Sequence, residues 1–309
     1  MSIKVYLSNI NESWVVDRFR DDWYSQNQDI STEDIKKANI IWIISPWLWK
    51  KIPKRYLRNK KVICSIYHID FEKFDDKEKK EFLKRDKYVE FYHVISLKTK
   101  EQLAQLTNKE IISIPFWVDQ NIWKSMEGKN KLREKYGLSE SDFLVGSFQR
   151  DTEGSDLITP KLIKGPDILL QLMKEMKIKN KNLTVVLTGK RRQYLIKNFE
   201  KYEIKYKYFE MVDINQVNEL YNILDLYLVT SRVEGGPQAI LECAITKTPI
   251  LSTDVGVASE ILSNESIFNI NNFSDAIVNV EYAYQKVQNY KIPEGIKLFR
   301  TKLFGSYEN

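Results

Sequence analysis

Cysteine is scarce in this chain: 309 residues hold two, Cys64 and Cys243. Both fall in apolar segments without the spacing of a metal site, which argues against a disulfide scaffold or a cysteine-held metal fold. Long apolar runs are lacking too. The longest, residues 40–49, is interrupted by Ser45 and Pro46 and is too short to span a bilayer. Asn9, Asn11 and Glu12 break any signal-peptide core within residues 1–13, so a cytoplasmic protein without a transmembrane segment is expected. Nor is there a strong excess of one charge. Forty-eight basic residues against 42 acidic ones leave +6, which a lysine-rich composition produces as readily as a polyanionic partner does. What remains is an ordinary globular composition, 43% hydrophobic and 12% aromatic, in a chain long enough for two domains with real cores.

Short apolar segments alternate with helical ones along the whole chain. Strands are expected at residues 3–7, 40–44, 62–67, 89–95 and 110–114, with helices at 14–24, 77–84 and 98–106. A polar connector at 121–131 leads to a second series. Its strands are expected at 143–147, 183–187, 206–211, 226–229 and 249–251, its helices at 166–177, 193–201, 215–224 and 274–287. Such alternation indicates α/β domains with parallel, doubly wound sheets, whose ligands bind beyond the carboxyl ends of the strands. Residues 1–122 are expected to form the first domain and 123–290 the second, with 291–309 left as a C-terminal tail.

The most informative stretch is 226–261, LYLVTSRVEGGPQAILECAITKTPILSTDVGVASEI. It reads as strand, glycine turn, helix and strand. Gly235 and Gly236 let the backbone approach a ligand, and Pro237 suits the first helical position. The free N–H groups there suit a phosphate. Glu234 lies ahead of the helix, and Glu242 in its second turn shares a face with Gln238 and Thr246. Flanked by apolar neighbours, Glu242 needs hydrogen-bond partners, which a ligand rich in hydroxyls would supply. A solvated polar stripe is the plainer alternative.

Three further features invite chemistry. The segment GSFQRDTEGSDLITPKLIKG at 146–165 carries Arg150, Lys161 and Lys164, cations suited to a diphosphate, although ordinary loop charge reads the same way. His68 follows the third strand, where an active-site residue would sit, while His93 lies in the fourth. A single histidine is more often a hydrogen-bonded structural residue. Finally, PWLWKKIPKRYLRNKK at 46–61 sets Trp47, Trp49 and Tyr56 among Lys50, Lys51, Lys54, Arg55 and Arg58 with no acidic residue. That pattern suits an anionic membrane surface, or else a solvated basic face. No nucleic-acid recognition motif accompanies it.

SRVEGGPQAILECAITKTPILSTDVGVASEIL resembles the signature of the GT4-type (group 1) retaining glycosyltransferases, including the E-x7-E spacing of Glu234 and Glu242. HVISLKTKEQLAQL and EIISIPFWVDQNIW, within 93–123, resemble the segment leading out of that family's first domain. Arg150 with Lys164–Gly165 is similar to its diphosphate-binding pair. The resemblance implies the GT-B fold, two facing Rossmann-like domains with a cleft between them. It also implies transfer of a sugar from a nucleotide-sugar donor to a glycan or lipid-linked glycan, in cell-surface polysaccharide-type biosynthesis. By the same resemblance Glu234 would contact the donor sugar and Glu242 the ribose. Backbone N–H groups at Gly235, Gly236 and the turn before the helix would hold phosphate or sugar oxygens, Pro237 being part of that donor-binding turn, and His68 would lie near the reacting sugar. Arg150 and Lys164 would stabilise the leaving diphosphate, with Lys161 as the alternative to Lys164 because the intervening loop is long. Backbone near Gly189 and Val212 would meet the base. No cofactor or metal is expected, in keeping with the lack of an Asp-x-Asp motif. The sequence departs from the family after the first strand, where SNINESWVVD replaces the glycine-rich loop. GT-B folds also host nucleotide-sugar epimerases and phosphorylases, and a non-catalytic membrane-surface module is the third reading.

Overall fold

The computed structural model describes residues 3–9 and 15–308. Trp14, at the expected start of the first helix, lies outside them, as do residues 10–13 of the loop that stands in for the glycine-rich turn. The chain divides into two units, Met1–Trp117 with Asn289–Asn309, and Val118–Gln288.

The first unit runs β1 (Val5–Leu7), α1 (Val15–Gln26), β2 (Ile40–Ile43), α2 (Lys54–Asn59), β3 (Lys61–Ile66), α3 (Asp76–Asp86), β4 (Phe91–Val94), α4 (Leu97–Ala104) and β5 (Ile111–Ser113). Its strands pair in parallel in the order β1-β2-β3-β4-β5. β2 and β4 are buried at every position, because helices cover both faces and no polar alternation survives. A parallel bridge from Val5 to Ser31 adds one more position outside β1. The chain therefore winds outward from β1 through α1 and then crosses back to β2. Right-handed crossovers then put α1 on one face and α2 to α4 on the other. Trp23 of α1 accordingly packs edge-on against Trp42, centroids 5.3 Å apart, whereas Phe82 of α3 stacks on Tyr92 from the opposite side.

The second unit runs α5 (Lys129–Lys135), β6 (Phe143–Ser147), α6 (Pro166–Lys179), β7 (Leu183–Thr188), α7 (Gln193–Lys201), β8 (Tyr206–Phe209), α8 (Ile214–Ile223), β9 (Leu226–Val229), α9 (Gln238–Thr246), β10 (Ile250–Thr253), α10 (Ala258–Ile261), β11 (Ile267–Phe268) and α11 (Val280–Val287). Its parallel sheet has the order β11-β10-β9-β6-β7-β8, so the winding reverses between β6 and β9. The last helix, α12 (Glu294–Glu308), belongs to the first unit. It buries Ile296, Phe299, Leu303 and Phe304, with Phe299 against Trp42, Phe116 and Trp117.

Three expectations need correction. The helix read over 274–287 is helical only from Val280. Ahead of it, Ile277 N–H bonds Glu265 O and Asn279 N–H bonds Ser266 Oγ, which takes the backbone out of helical register. Pro237 is the residue before α9, not its first helical position, since its ψ of 113° is extended. The polar connector also contains the start of α5, a short helix whose anchor is Arg133. That guanidinium is 4% exposed and donates to the carbonyls of Ile223, Glu140 and Asp142 and to the Asp225 carboxylate. No apolar periodicity reveals such an anchor.

Candidate functional site

The reversal of winding in the second unit brings the carboxyl ends of β6 and β9 side by side, the position where open α/β sheets bind ligands. Gln149 and Arg150 leave β6 there, and Ser231 to Glu234 leave β9. A one-turn 3₁₀ segment, Leu162–Lys164, is clamped onto the second of these exits. Arg232 makes the clamp. Its N–H and that of Val233 donate to Ile163 O, and its guanidinium bonds Leu162 O and both Asp167 carboxylate oxygens at 2.8 and 2.6 Å. Gly165 closes the joint in a left-handed conformation, φ 61°, so close to β9 that an added Cβ would lie 1.7 Å from Thr230 O. Only glycine fits that approach.

The clamp sets Lys164 against Glu234, and Lys164 Nζ donates to Glu234 Oε1. Their side chains are 21% and 14% exposed, sheltered from water without being sealed from it. Gln149 bridges the same elements: its Nε2 donates to Lys164 O at 2.8 Å, and its Oε1 accepts from Ser231 Oγ at 3.2 Å. Thr253 Oγ1 in turn donates to Ser231 O at 2.6 Å. Lys161, half-buried on the approach to the clamp, is depressed to about 8, first by burial and then by the charges of Arg150 and Lys164. Arg150 itself is exposed. Three cations therefore crowd one strand exit, an arrangement whose charge suits an anion. Gly235 and Gly236 are backed by the turn at Gly256, φ 51°, where a Cβ would lie 2.2 Å from Gly235 O.

Glu242 is 7% exposed, and its Oε2 accepts from Tyr221 Oη at 2.9 Å. The solvated-stripe alternative therefore fails for Glu242 and for Thr246, which is 3% exposed and donates to Glu242 O. Tyr221 lies in an aromatic group with Trp123, Phe148 and Tyr227. Phe148 immediately follows β6, so the group reaches the same strand ends. Gly189, φ 83°, follows β7, its carbonyl accepting from Tyr208 Oη at 3.0 Å, and Val212 precedes the capping box of α8. The structure thus gathers Arg150, Lys161, Lys164 and Glu234 and ties Glu242 to the aromatic group through Tyr221. Gln149, Ser231, Tyr221, Arg232 and Gly256 escaped the sequence reading. Their partners lie up to 82 residues away, as in the bond from Ser231 to Gln149, beyond any local spacing.

His68 lies in the first unit, exposed, two residues past the end of β3. His93 is structural. Buried completely, it donates from Nε2 to Ile114 O and accepts at Nδ1 from Ser65 Oγ, both at 2.8 Å, while Ser65 accepts from Trp42 Nε1. Burial holds its imidazole neutral, down to about 4. The basic segment divides. Trp49, expected among the surface aromatics, is 7% exposed and faces Tyr88, while Trp47 stays 47% exposed. Lys50 is paired with Glu81 at 2.6 Å. Among the described residues no helix is long and apolar enough to cross a membrane, and no three His, Cys, Asp or Glu side chains are grouped to hold a metal. Both cysteines are buried and free, and burial pushes the Cys64 thiol up to about 11.

Residues 159–281, from the clamp to α11, match the family described as glycosyl transferases group 1. The matched stretch lies within the second unit. No curated protein matches the chain by sequence. Among solved structures, Anabaena HepE in complex with UDP and glucose matches at 13% identity and a TM-score of 0.77, over 97% of this chain and 99% of that one. Sucrose-phosphate synthase from Thermosynechococcus elongatus matches at 13% identity and 0.70, over 94% and 76%. A glycosyltransferase from Rickettsia africae matches at 16% identity and 0.62, over 96% and 84%. The two parallel sheets, with their alternating helices, have the fold of these GT-B glycosyltransferases.

Proposed function

We propose that the protein is a retaining, metal-independent glycosyltransferase of the GT4 type. It moves a hexose from a nucleotide-sugar donor to a glycan or lipid-linked glycan during synthesis of a cell-surface polysaccharide. The observation that carries this reading is the juxtaposition of Lys164 and Glu234 beside Lys161 and Arg150 at the winding reversal of the second sheet. Solved HepE structures holding UDP or UDP-glucose support a nucleotide-sugar donor.

In this mechanism the diphosphate lies against Arg150, Lys161 and Lys164, and backbone N–H groups of the turn at Gly235 and Gly236 meet its oxygens or those of the sugar. Negative charge grows on the diphosphate as the bond to the sugar lengthens, and the cations stabilise it more strongly there than in the bound donor. Glu234 holds sugar hydroxyls once Lys164 turns toward phosphate. Glu242, already holding Tyr221, accepts from the ribose. Backbone at Gly189 and Val212 borders the base. The acceptor attacks the face that the diphosphate leaves, which retains configuration.

Thermal-shift titration with UDP, GDP and ADP, followed by turnover of the matching sugar nucleotides with and without acceptor glycans, tests the reading. Stabilisation by one diphosphate, with its release dependent on acceptor, is expected. A product formed without acceptor would replace transfer by epimerisation, and the absence of any nucleotide effect would sink the donor assignment. A second, compatible reading is peripheral contact of this cytoplasmic enzyme with an anionic membrane, favoured by Trp47 exposed beside Lys51, Lys54, Arg55 and Arg58. Sedimentation with phosphatidylglycerol vesicles, lost in Trp47→Ser, is the expected result.

A further inference from the structure

Arg192 is 0% exposed at the residue preceding α7. None of its three guanidinium nitrogens has a hydrogen-bond partner among the described residues, and its ion-pair partner is Asp151, 3.7 Å from Nε. Asp151 is itself 2% exposed. A buried pair with so few hydrogen bonds contributes little to stability, and an apolar pair of similar volume often serves as well or better. Its presence here calls for another reason.

Asp151 supplies one. It directly follows Arg150, and its main chain and side chain reach three elements. Its Oδ2 accepts from Leu195 N at 3.3 Å, capping α7, a task for which the side chain of Arg192 makes no bond. Its N–H donates to Arg191 O at 2.9 Å, and its carbonyl accepts from Lys161 N at 2.7 Å. Arg191 holds a left-handed conformation, φ 64°, in which its carbonyl also accepts from Thr152 Oγ1 at 3.4 Å. An antiparallel bridge between Thr152 and Pro160 then closes the loop above Asp151. The two cations of the loop therefore leave from one fixed point, Arg150 on the residue before Asp151 and Lys161 on the residue bonded to it.

We propose that Asp151 and Arg192 are a positioning pair, a buried ion pair that fixes the main chain between Arg150 and Lys161 so that both cations meet one diphosphate. The inference rests on the donor reading above. Neither residue touches the ligand; each acts through the loop it anchors.

Calorimetric titration of the full chain with UDP, GDP and ADP and with the corresponding monophosphates tests it, because a loop that positions cations governs what the second phosphate adds. Two variants are compared with the natural protein. Asp151→Asn keeps an oxygen to cap α7 and removes the charge beside Arg192. Asp151→Asn combined with Arg192→Met removes both charges, so neither is left buried alone. The ratio of diphosphate to monophosphate affinity is expected to fall about tenfold in each, the equivalent of one charge-assisted hydrogen bond. Monophosphate affinity and the circular-dichroism spectrum should stay close to those of the natural protein. An unchanged ratio, or an equal loss for mono- and diphosphate, overturns the positioning role and leaves the donor reading standing. If the natural protein binds none of the three diphosphates, the donor reading falls and takes this inference with it.

Discussion

His93 and Lys161 are both titratable groups at or near the strands of a parallel sheet, and both are pushed toward their neutral forms, yet their surroundings point to different uses. His93 is buried completely and fully hydrogen-bonded, its Nδ1 and Nε2 satisfied by Ser65 and Ile114. Its depressed pKa records the burial of the ring. Lys161 is half-buried, and Arg150 and Lys164 add their repulsion to its desolvation. A satisfied network resists titration and holds a core together, whereas crowded like charges at a strand exit are relieved by an anion. Burial is the first cause of both shifts; what separates the two groups is their surroundings, hydrogen-bond partners around His93 and two further cations beside Lys161.

The contrast can be broken most sharply at Glu234. Replacing it by alanine is expected to lower turnover about 10²–10³-fold, the scale of one lost transition-state contact, with the fold retained. Initial rates of diphosphate release measure this, and unchanged turnover would remove Glu234 from the mechanism. Gly165→Ala comes next. The strained φ and the collision with Thr230 O should cost about 3 kcal/mol or more of stability in denaturant unfolding. Donor turnover would be lost as well, because Lys164 is set by the same joint.

His93 sharpens the other side. Its folded pKa lies below its unfolded one, so the unfolded state binds the proton first as pH falls. The stabilisation is present above about 6.5, is lost progressively below it, and has gone at about 4, a total of about 3 kcal/mol. His93→Gln should flatten that limb in pH-dependent urea midpoints. The smallest effect is expected at Lys161. As pH rises past about 8 the ammonium loses its proton, and diphosphate affinity should drop about tenfold for the loss of one charge-assisted contact. Lys161→Met should start weak and show no such limb. A limb that persists in the variant would assign it to another group.

Much of this was visible from residue order. The strands 143–147 and 226–229 and the helix 193–201 coincide with β6, β9 and α7, because fully apolar strands and a strongly amphipathic helix leave little choice. The cations of the 146–165 segment and Glu234 could be named as candidates from their types and flanking glycines. Which lysine faces Glu234 could not, since Lys161 and Lys164 are interchangeable as text. Arg232, bonded to Asp167, and Gly165, wedged against Thr230, make that choice across 65 residues of sequence. Trp49 likewise reads as a surface aromatic until the turn Pro46–Lys51 rotates it onto Tyr88.

What the sequence determined by itself was the α/β alternation, the two-domain length and the chemistry available at the strand exits, because periodicity and residue type are local properties. The order of the strands and the pairings across them emerged with the three-dimensional fold. Those set Lys164 on Glu234, Tyr221 on Glu242 and Asp151 on Arg192. The reason is physical: a buried hydrogen bond or ion pair depends on two elements meeting in space, and the winding of the sheet, not spacing along the chain, brings them together.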